Sequence, residues 1–259
     1  MSSHNHSLRL GVLISGSGSN LQAIIEAIES QQLPGVEIAL VVSNKADAYG
    51  LQRALNHKLP AIYLPWIQRP PGAQKIAPEI IESKLTMSES ESRLTTLLQL
   101  FQVDLIVLAG WMRILSAAFL EQFPQRVINI HPALLPDDGT GSIFTTRNGT
   151  QIPAFRGLHA VQQALDAGVK ITGSCVHFVT PEVDAGPVIC REEVAVEEGD
   201  TEETLHERLK VVEHRLIVKA VGDLKGLNEP GFLLPFPRSY DRYCEIDTQH
   251  ERKHKSDDE

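Results

Sequence analysis

The sequence of 259 residues is short of cysteine, of basic charge and of long hydrophobic runs, and each shortage excludes a class of protein. Three cysteines are too few for a disulfide framework, which favours a reducing, cytoplasmic compartment. The 24 basic against 33 acidic side chains give a net charge of −9, which opposes non-specific binding to nucleic acid. No apolar run approaches the ~18 residues that a membrane-spanning helix needs, and the polar N-terminus lacks a signal-peptide core. We therefore expect neither nucleic acid nor a membrane as a partner.

What the sequence does contain is an alternation of strand-like and helix-like segments. Apolar residues fill Leu8 to Ile14 and run into a glycine-rich turn, after which Leu21, Ile24 and Ile28 recur at helical spacing. Strands separated by such helices form right-handed βαβ crossovers, which predict an α/β fold with a doubly wound, mostly parallel, Rossmann-like sheet in a single domain. Further strands are predicted at 36–42, 61–64, 105–109, 127–130, 171–179 and 188–196, and further helices at 47–56, around 94–101 and at 201–221.

Polar stretches and stretches rich in Pro or Gly interrupt this alternation and predict the domain boundaries. Residues 1–7 are expected to be a flexible tail, residues 8–222 the folded domain, and residues 223–259 an extension whose last part is disordered. Within the domain, residues 66–90 and 137–152 are predicted to be loop insertions, and the second has neither a helical nor a strand period.

The glycine-rich turn Gly16-Ser-Gly-Ser-Asn20 links the first strand to the first helix. Its free backbone N–H groups and the helix dipole form an anion site that suits a phosphate. A dinucleotide fingerprint needs a further Gly where Leu21 stands, and an acidic residue that is missing after the second strand. A single phosphate therefore fits better than NAD, although a glycine turn required only for close packing is an equal alternative.

Two polar side chains, Asn129 and His131, fall on the same side of a predicted strand at its end, where open α/β sheets bind ligands. An amide beside an imidazole can stabilise an oxyanion and transfer a proton, whereas a histidine that only caps the strand end is the structural alternative. Asp184 lies in a turn of ordinary composition. It gains a catalytic role only if the fold brings it to His131, where its charge would raise the imidazole pKa and favour the protonated ring. No spacing typical of a metal site occurs, so no metal is expected.

Seven separated segments, taken in order, resemble the phosphoribosylglycinamide formyltransferases, a family of folate-dependent enzymes. The resemblance implies a Rossmann-like formyltransferase fold and transfer of the formyl group of 10-formyltetrahydrofolate to the amine of glycinamide ribonucleotide in purine synthesis. Both reactants are small molecules, and no metal is implied. The resembling segments are 13–22, 43–51, 108–116, 128–136, 157–160, 173–179 and 184–188, which cover most of residues 8–222.

The resemblance also implies a role for individual residues. It makes Asn129, His131 and Asp184 the catalytic trio, with Asp184 holding His131 protonated. The implied contacts to the ribonucleotide are Gly18, Ser19, Asn20 and Glu213. The implied contacts to the folate are Met112, Arg113, Ile114, Leu115, Asn129, Thr180, Pro181, Glu182 and Val183.

The sequence departs from the family pattern around both insertions. Residues 137–152 separate two segments that are normally adjacent and are expected either to form a lid or to loop into solvent, and Arg156 stands where Pro is common. The longer 66–90 region obscures the Arg that reaches the folate from there in the family, for which Arg93 is one candidate.

Three other functions remain open at this stage. A formyltetrahydrofolate deformylase would use the same trio, but it usually carries an N-terminal regulatory domain, and only residues 1–7 precede the first strand here. A methionyl-tRNA formyltransferase needs an RNA-binding C-terminal domain and a basic surface, which the 38 residues after Val221 and the charge of −9 disfavour. A non-catalytic folate- or nucleotide-binding protein is the third. The sequence does not give the oligomeric state.

Overall fold

A seven-stranded sheet with helices on both faces organises the computed structural model, which describes residues 7–66 and 88–229. In chain order its elements are β1 (Leu8–Ile14), α1 (Ser19–Glu29), β2 (Val36–Ser43), α2 (Tyr49–Asn56), β3 (Ala61–Tyr63), α3 (Glu89–Leu100), β4 (Leu105–Leu108), α4 (Ala117–Glu121), β5 (Val127–His131), β6 (Ile143–Thr145), β7 (Gln151–Pro153), α5 (Ala160–Asp166), β8 (Ile171–Phe178), β9 (Val188–Ala195) and α6 (Glu202–Asp223).

The strands of the main sheet lie in the order β3-β2-β1-β4-β5-β8-β9. The first five run parallel, whereas β8 is antiparallel to both β5 and β9. The strand order reverses between β1 and β4, so the turn after β1 and the end of β5 lie at the same edge, where such sheets bind ligands. The prediction of a doubly wound, mostly parallel α/β sheet is confirmed.

Alternation along β1 explains why the sheet is covered on both faces. Leu10, Val12 and Ile14 are fully buried in a cluster with side chains of α1 and α6, while Leu13 joins the opposite cluster with Leu98 of α3. Parallel strands buried on both faces read as continuous apolar runs. For this reason the strands of the first half could be predicted from apolar runs in the sequence.

The start of α3 is fixed by a buried carboxylate that also holds the segment leading to the site. Ser88 and Glu91 form a capping box, in which Glu91 Oε2 accepts from the Ser88 backbone N–H at 2.7 Å. The other oxygen of Glu91 accepts from the N–H of Ser116, the N-cap of α4, at 2.6 Å. Glu91 thus ties the start of α3 to the end of residues 109–116, which follow β4.

The insertion at 137–152 contains secondary structure that its lack of a helical or strand period did not predict. Within this predicted loop insertion, β6 pairs with β7 as a β-hairpin that ends one residue beyond it, at Pro153. Its turn closes on Asn148 and Gly149, where Gly149 has φ +86°. The two strands were missed because each has three residues, too few to show a period, although Asn-Gly between β-forming residues is a hairpin signal.

Several predictions lie wholly or partly outside the described residues. These are the tail, of which residues 1–6 are not described, the insertion at 66–90 over residues 67–87, and the extension from residue 230 onward. Among the residues that are described, no helix is both long and apolar enough to cross a membrane.

Candidate active site

Asp184 meets Asn129 and His131 at the end of β5. The Asn129 amide nitrogen lies 3.4 Å from Asp184 Oδ1, and His131 Nδ1 lies 3.5 Å from Asp184 Oδ2. The loop between β8 and β9 carries Asp184 across the sheet edge, and Gly157 N–H donates to Asp184 Oδ2 at 2.8 Å. The fold therefore brings Asp184 to His131, as a catalytic role for Asp184 requires.

His177 is a fourth polar side chain at this point that sequence reasoning did not assign. It lies on β8 opposite Asn129, is 2% exposed, and places Nε2 3.4 Å from Asp184 Oδ1 and 3.3 Å from the Asn129 amide nitrogen. Its Nδ1 donates to the Phe178 carbonyl at 2.8 Å. A histidine within an apolar strand was the available signal, but only the antiparallel register shows that it reaches the site.

The Asp184 carboxyl group is held ionised. Burial alone opposes its charge, but the hydrogen bond with His177, the nearby His131 ring and the Gly157 N–H outweigh burial, so the pKa of Asp184 lies well below its ordinary value. The backbone of Asp184 is left-handed, with φ +49°, a conformation that short polar side chains tolerate. The site therefore contains a fixed negative charge.

Burial opposes the charge expected on His131. Burial lowers the pKa of His131 below its ordinary value, and the opposing effects of Asp184 and the Phe155 carbonyl are smaller. Burial of the ring thus works against the protonated His131 that the family resemblance implies. Its Nε2 donates to the Phe155 carbonyl at 2.8 Å, so Nδ1, which faces Asp184, is the nitrogen that carries no proton in the neutral ring.

The glycine-rich turn after β1 brings together the residues expected to bind the ribonucleotide. Gly18 precedes α1 with φ +68°, and a Cβ there would lie 2.7 Å from the Gly50 Cα, so only glycine fits. Asn20 donates to Glu213 of α6 at 3.1 Å. Within the described part of the chain the buried Asn20 Oδ1 has no hydrogen-bond partner. Arg53, which the sequence did not single out, donates to the Ser17 carbonyl at 2.9 Å and adds a cation beside the turn.

The residues expected to contact the folate lie in two segments beside the trio. Leu108 pairs with Asn129, so residues 109–115 begin at the same sheet edge. Met112 and Ile114 are 54% and 62% exposed, and Val183 of the loop before Asp184 is 45% exposed.

The remaining folate candidates differ in how much of their side chains a ligand could reach. Leu115 packs in the core, which leaves only its backbone free for a ligand. Pro181 and Glu182 are exposed in the loop, where Thr180 donates to the Glu182 carbonyl at 3.1 Å. Arg113 has a buried Nε with no partner among the described residues. Arg93 pairs with Glu89 on the exposed face of α3.

A family model for formyl transferases matches residues 8–143 and 149–221, which is most of the chain. The chain belongs to the formyl transferase family. The unmatched residues 144–148 of this formyl transferase chain lie in the hairpin of β6 and β7.

Relatives of known name agree with this membership. The chain is 38% identical over 210 residues to the phosphoribosylglycinamide formyltransferase of Escherichia coli K12, covering 81% of this chain and 83% of the relative. It is 37% identical over 215 residues, 82% of its length, to the human trifunctional purine biosynthetic protein adenosine-3, but spans only 18% of that protein. Among solved structures, glycinamide ribonucleotide transformylase 1 of Symbiobacterium toebii matches with a TM-score of 0.67 and 40% identity, covering 85% of this chain and 88% of that one.

The residues that the structure describes contain no group of three His, Cys, Asp or Glu side chains placed to hold a metal ion.

Proposed function

We propose that this chain transfers the formyl group of 10-formyltetrahydrofolate to the amine of glycinamide ribonucleotide, in de novo purine biosynthesis. The observation that carries the proposal is the contact of Asp184 with both Asn129 and His131 at the sheet edge that also bears the phosphate-type turn. The names of the E. coli and S. toebii relatives support it. We propose residues 8–222 as the formyltransferase unit, acting on small molecules in the cytoplasm.

In this proposal each member of the trio has one task. The substrate amine attacks the formyl carbon, and the Asn129 amide N–H stabilises the oxyanion that forms there. His131 accepts the amine proton at Nδ1, and the Asp184 carboxylate 3.5 Å away stabilises the resulting imidazolium. The proton then passes, directly or through water, to the folate nitrogen as its bond to the formyl carbon breaks.

The two substrates would bind on either side of the catalytic trio, the ribonucleotide at the glycine-rich turn and the folate at the exposed apolar side chains. Backbone N–H groups at Gly18 and Ser19, at the start of α1, would bind the ribonucleotide phosphate, while Asn20 and Glu213 would bind elsewhere on the ribonucleotide. The exposed apolar side chains of Met112, Ile114 and Val183 suit the flat faces of a pterin. Arg113, Leu115, Thr180, Pro181 and Glu182 would complete the folate pocket, the Leu115 contribution coming from its backbone.

The deciding experiment follows 10-formyltetrahydrofolate consumption spectrophotometrically with and without glycinamide ribonucleotide. We expect consumption that depends on the ribonucleotide, is abolished by His131→Ala and is unaffected by His57→Ala, which replaces the residue that follows α2 and pairs with Glu29. Asn129→Ala should lower kcat by ~10²–10³, the usual cost of one oxyanion donor, without loss of folding.

Other outcomes would assign the chain differently. Equal consumption without the ribonucleotide would identify a deformylase, in which water replaces the amine. Tight binding of both ligands with no turnover would identify a binding protein. Near-normal turnover of Asn129→Ala would contradict the role given to Asn129.

A further inference from the structure

The insertion at 137–152 is connected to the Asp184 loop through one side chain, that of Arg156. We propose that Arg156 is a positioning residue for the transfer reaction. Its side chain links the insertion to the Asp184 loop and thereby holds Asp184 against His131. The inference rests on the proposed function for its catalytic consequence, but its structural part can be tested without turnover. Arg156 is also the residue that departs from the Pro expected at this place in the family.

The guanidinium of Arg156 binds backbone carbonyls from three segments of the chain. Its Nε donates to the Asp184 carbonyl at 2.9 Å, while Nη2 donates to the carbonyls of Gly139 and Gly141 at 2.6 and 2.7 Å. Its Nη1 lies 3.3 Å from the carbonyl of Ala154. The planar fork of arginine is suited to such simultaneous, directional bonds, which the single ammonium of lysine cannot reproduce.

The neighbours of Arg156 in sequence hold the same two catalytic side chains. The Phe155 carbonyl accepts from His131 Nε2, and Gly157 N–H donates to the Asp184 carboxylate. The segment 155–157 therefore contacts His131, the Asp184 backbone and the Asp184 side chain at once. Since Asp184 adopts a left-handed backbone, bonds to both its carbonyl and its carboxylate are suited to keeping it in that conformation.

The insertion can act as a support because it is itself fixed to β9. The Asp137 carboxylate pairs with Arg191, and the Asp137 carbonyl accepts from Val188 N–H at 3.0 Å. The Arg191 guanidinium carbon lies 5.0 Å from the centre of the Phe144 ring of β6. At the hairpin turn, Arg147 N–H donates to the Glu193 carboxylate at 2.7 Å. These contacts fix the insertion to β9 at both its start and its hairpin turn.

Close backbone packing joins the insertion to the same loop a second time. Gly139 has φ +75°, and a Cβ at this position would lie 2.1 Å from the Gly186 carbonyl oxygen. A side chain there would push the insertion away from the Asp184 loop. Gly149, at the hairpin turn, also has a positive φ of +86°, but a Cβ there meets nothing within 4 Å. The two glycines therefore form a matched pair for separating backbone strain from loss of this contact.

The first experiment compares Arg156→Ala and Arg156→Lys with Arg147→Ala, which removes an exposed arginine side chain from the same insertion. We expect both Arg156 variants to lower kcat between about 10- and 100-fold, the range that small misplacement of a catalytic group causes. Arg147→Ala should stay within about twofold of wild type. Full activity of Arg156→Lys would mean that only the charge matters and would overturn the proposal.

A double-mutant cycle separates positioning from general stabilisation. If Arg156 acts through Asp184, then Arg156→Ala should lower kcat less than about twofold further in a protein that already carries Asp184→Asn. A purely structural role would give the same fold-loss of kcat in both backgrounds. That multiplicative result would contradict the proposal.

Hydrogen exchange of a peptide spanning residues 180–186 tests the support without any substrate. Exchange should be faster in Arg156→Ala and in Gly139→Ala. It should be unchanged in the controls Arg147→Ala and Gly149→Ala. If Arg156→Ala does not fold, the comparison of Gly139→Ala with Gly149→Ala still tests whether the insertion supports the Asp184 loop. Unchanged exchange in Gly139→Ala and Arg156→Ala would overturn the proposal. Absence of formyl transfer by the wild-type protein would instead remove the proposed function and leave the exchange result standing.

Discussion

At the scale of single residues, burial opposes the positive charge of His131. Burial lowers its pKa, and the charged or polar groups facing it are Asp184, His177, Arg156 and the Phe155 carbonyl. The unfolded chain therefore binds a proton near pH 6.5 that the folded chain does not bind until a lower pH. It follows that stability falls as the pH drops below about 6.5.

Replacing His131 with Gln should weaken this pH dependence. Between pH 7.5 and pH 5 the wild-type melting temperature should fall by more than that of His131→Gln, since the variant has no proton to bind at this position. His214, whose pKa is also lowered by burial, remains in both proteins and cancels in the comparison. Parallel melting curves across this range would contradict a neutral, buried His131.

The residues of the site were predictable from the sequence to different degrees. Asn129 and His131 could be placed together because strand alternation fixes two positions on one face. Asp184 needed the family resemblance, since nothing local distinguishes it from an ordinary turn residue. His177 and Arg156 were missed because their contacts depend on the pairing of β8 with β5 and on an insertion, which a local pattern does not encode.

At the scale of whole elements, the start of α3 makes a stability prediction. Glu91→Ala leaves the buried N–H of Ser116 and the partly buried N–H of Ser88 without their acceptor and should cost about 2–4 kcal/mol of unfolding free energy. Glu89→Ala, in the same helical turn, removes an exposed pair with Arg93 and should cost no more than about 0.5 kcal/mol.

Urea unfolding of these two variants measures the difference. The variants share residue type, helix and substitution, so propensity cancels in the comparison. Equal costs for the two would show that Glu91 does not connect α3 to the N-terminus of α4.

Most of the secondary-structure elements could be predicted from the sequence. The strands at 36–42 and 127–130 and the helix at 201–221 differ from the observed β2, β5 and α6 by one or two residues at their ends. Their apolar runs or helical periods are long enough to distinguish a strand from a helix by local sequence alone. The hairpin of β6 and β7 could not be predicted in this way, because its strands have three residues each and its contacts with β9 leave no local pattern.

At the scale of the whole molecule, the position of the two tryptophans allows a test of whether the sheet unfolds as one unit. Trp66 and Trp111 contact each other at 5.2 Å between ring centres in the cluster on one face of the sheet. Ile217 of α6 is fully buried on the opposite face. Ile217→Ala should cost about 2–5 kcal/mol and shift the tryptophan fluorescence transition as far as the circular dichroism transition.

Val211→Ala, on the exposed side of α6, is the matched control and should move neither transition by more than about 0.5 kcal/mol. A fluorescence transition that stays in place while circular dichroism shifts would show that the two faces unfold separately. It would then contradict the prediction of a single domain.

The antiparallel pairing of β5 with β8 has a consequence for how such a chain can change in length over evolution. Asn129 faces His177 because of register alone, and one residue gained or lost within β8 would turn His177 toward the opposite face of the sheet. The hairpin of β6 and β7, by contrast, contains residues 144–148 at the end of β6 and in the turn, which the formyl transferase family model does not match. Insertions and deletions are therefore accommodated at the tips of connections, while the strands that carry Asn129 and His177 must keep their residue count.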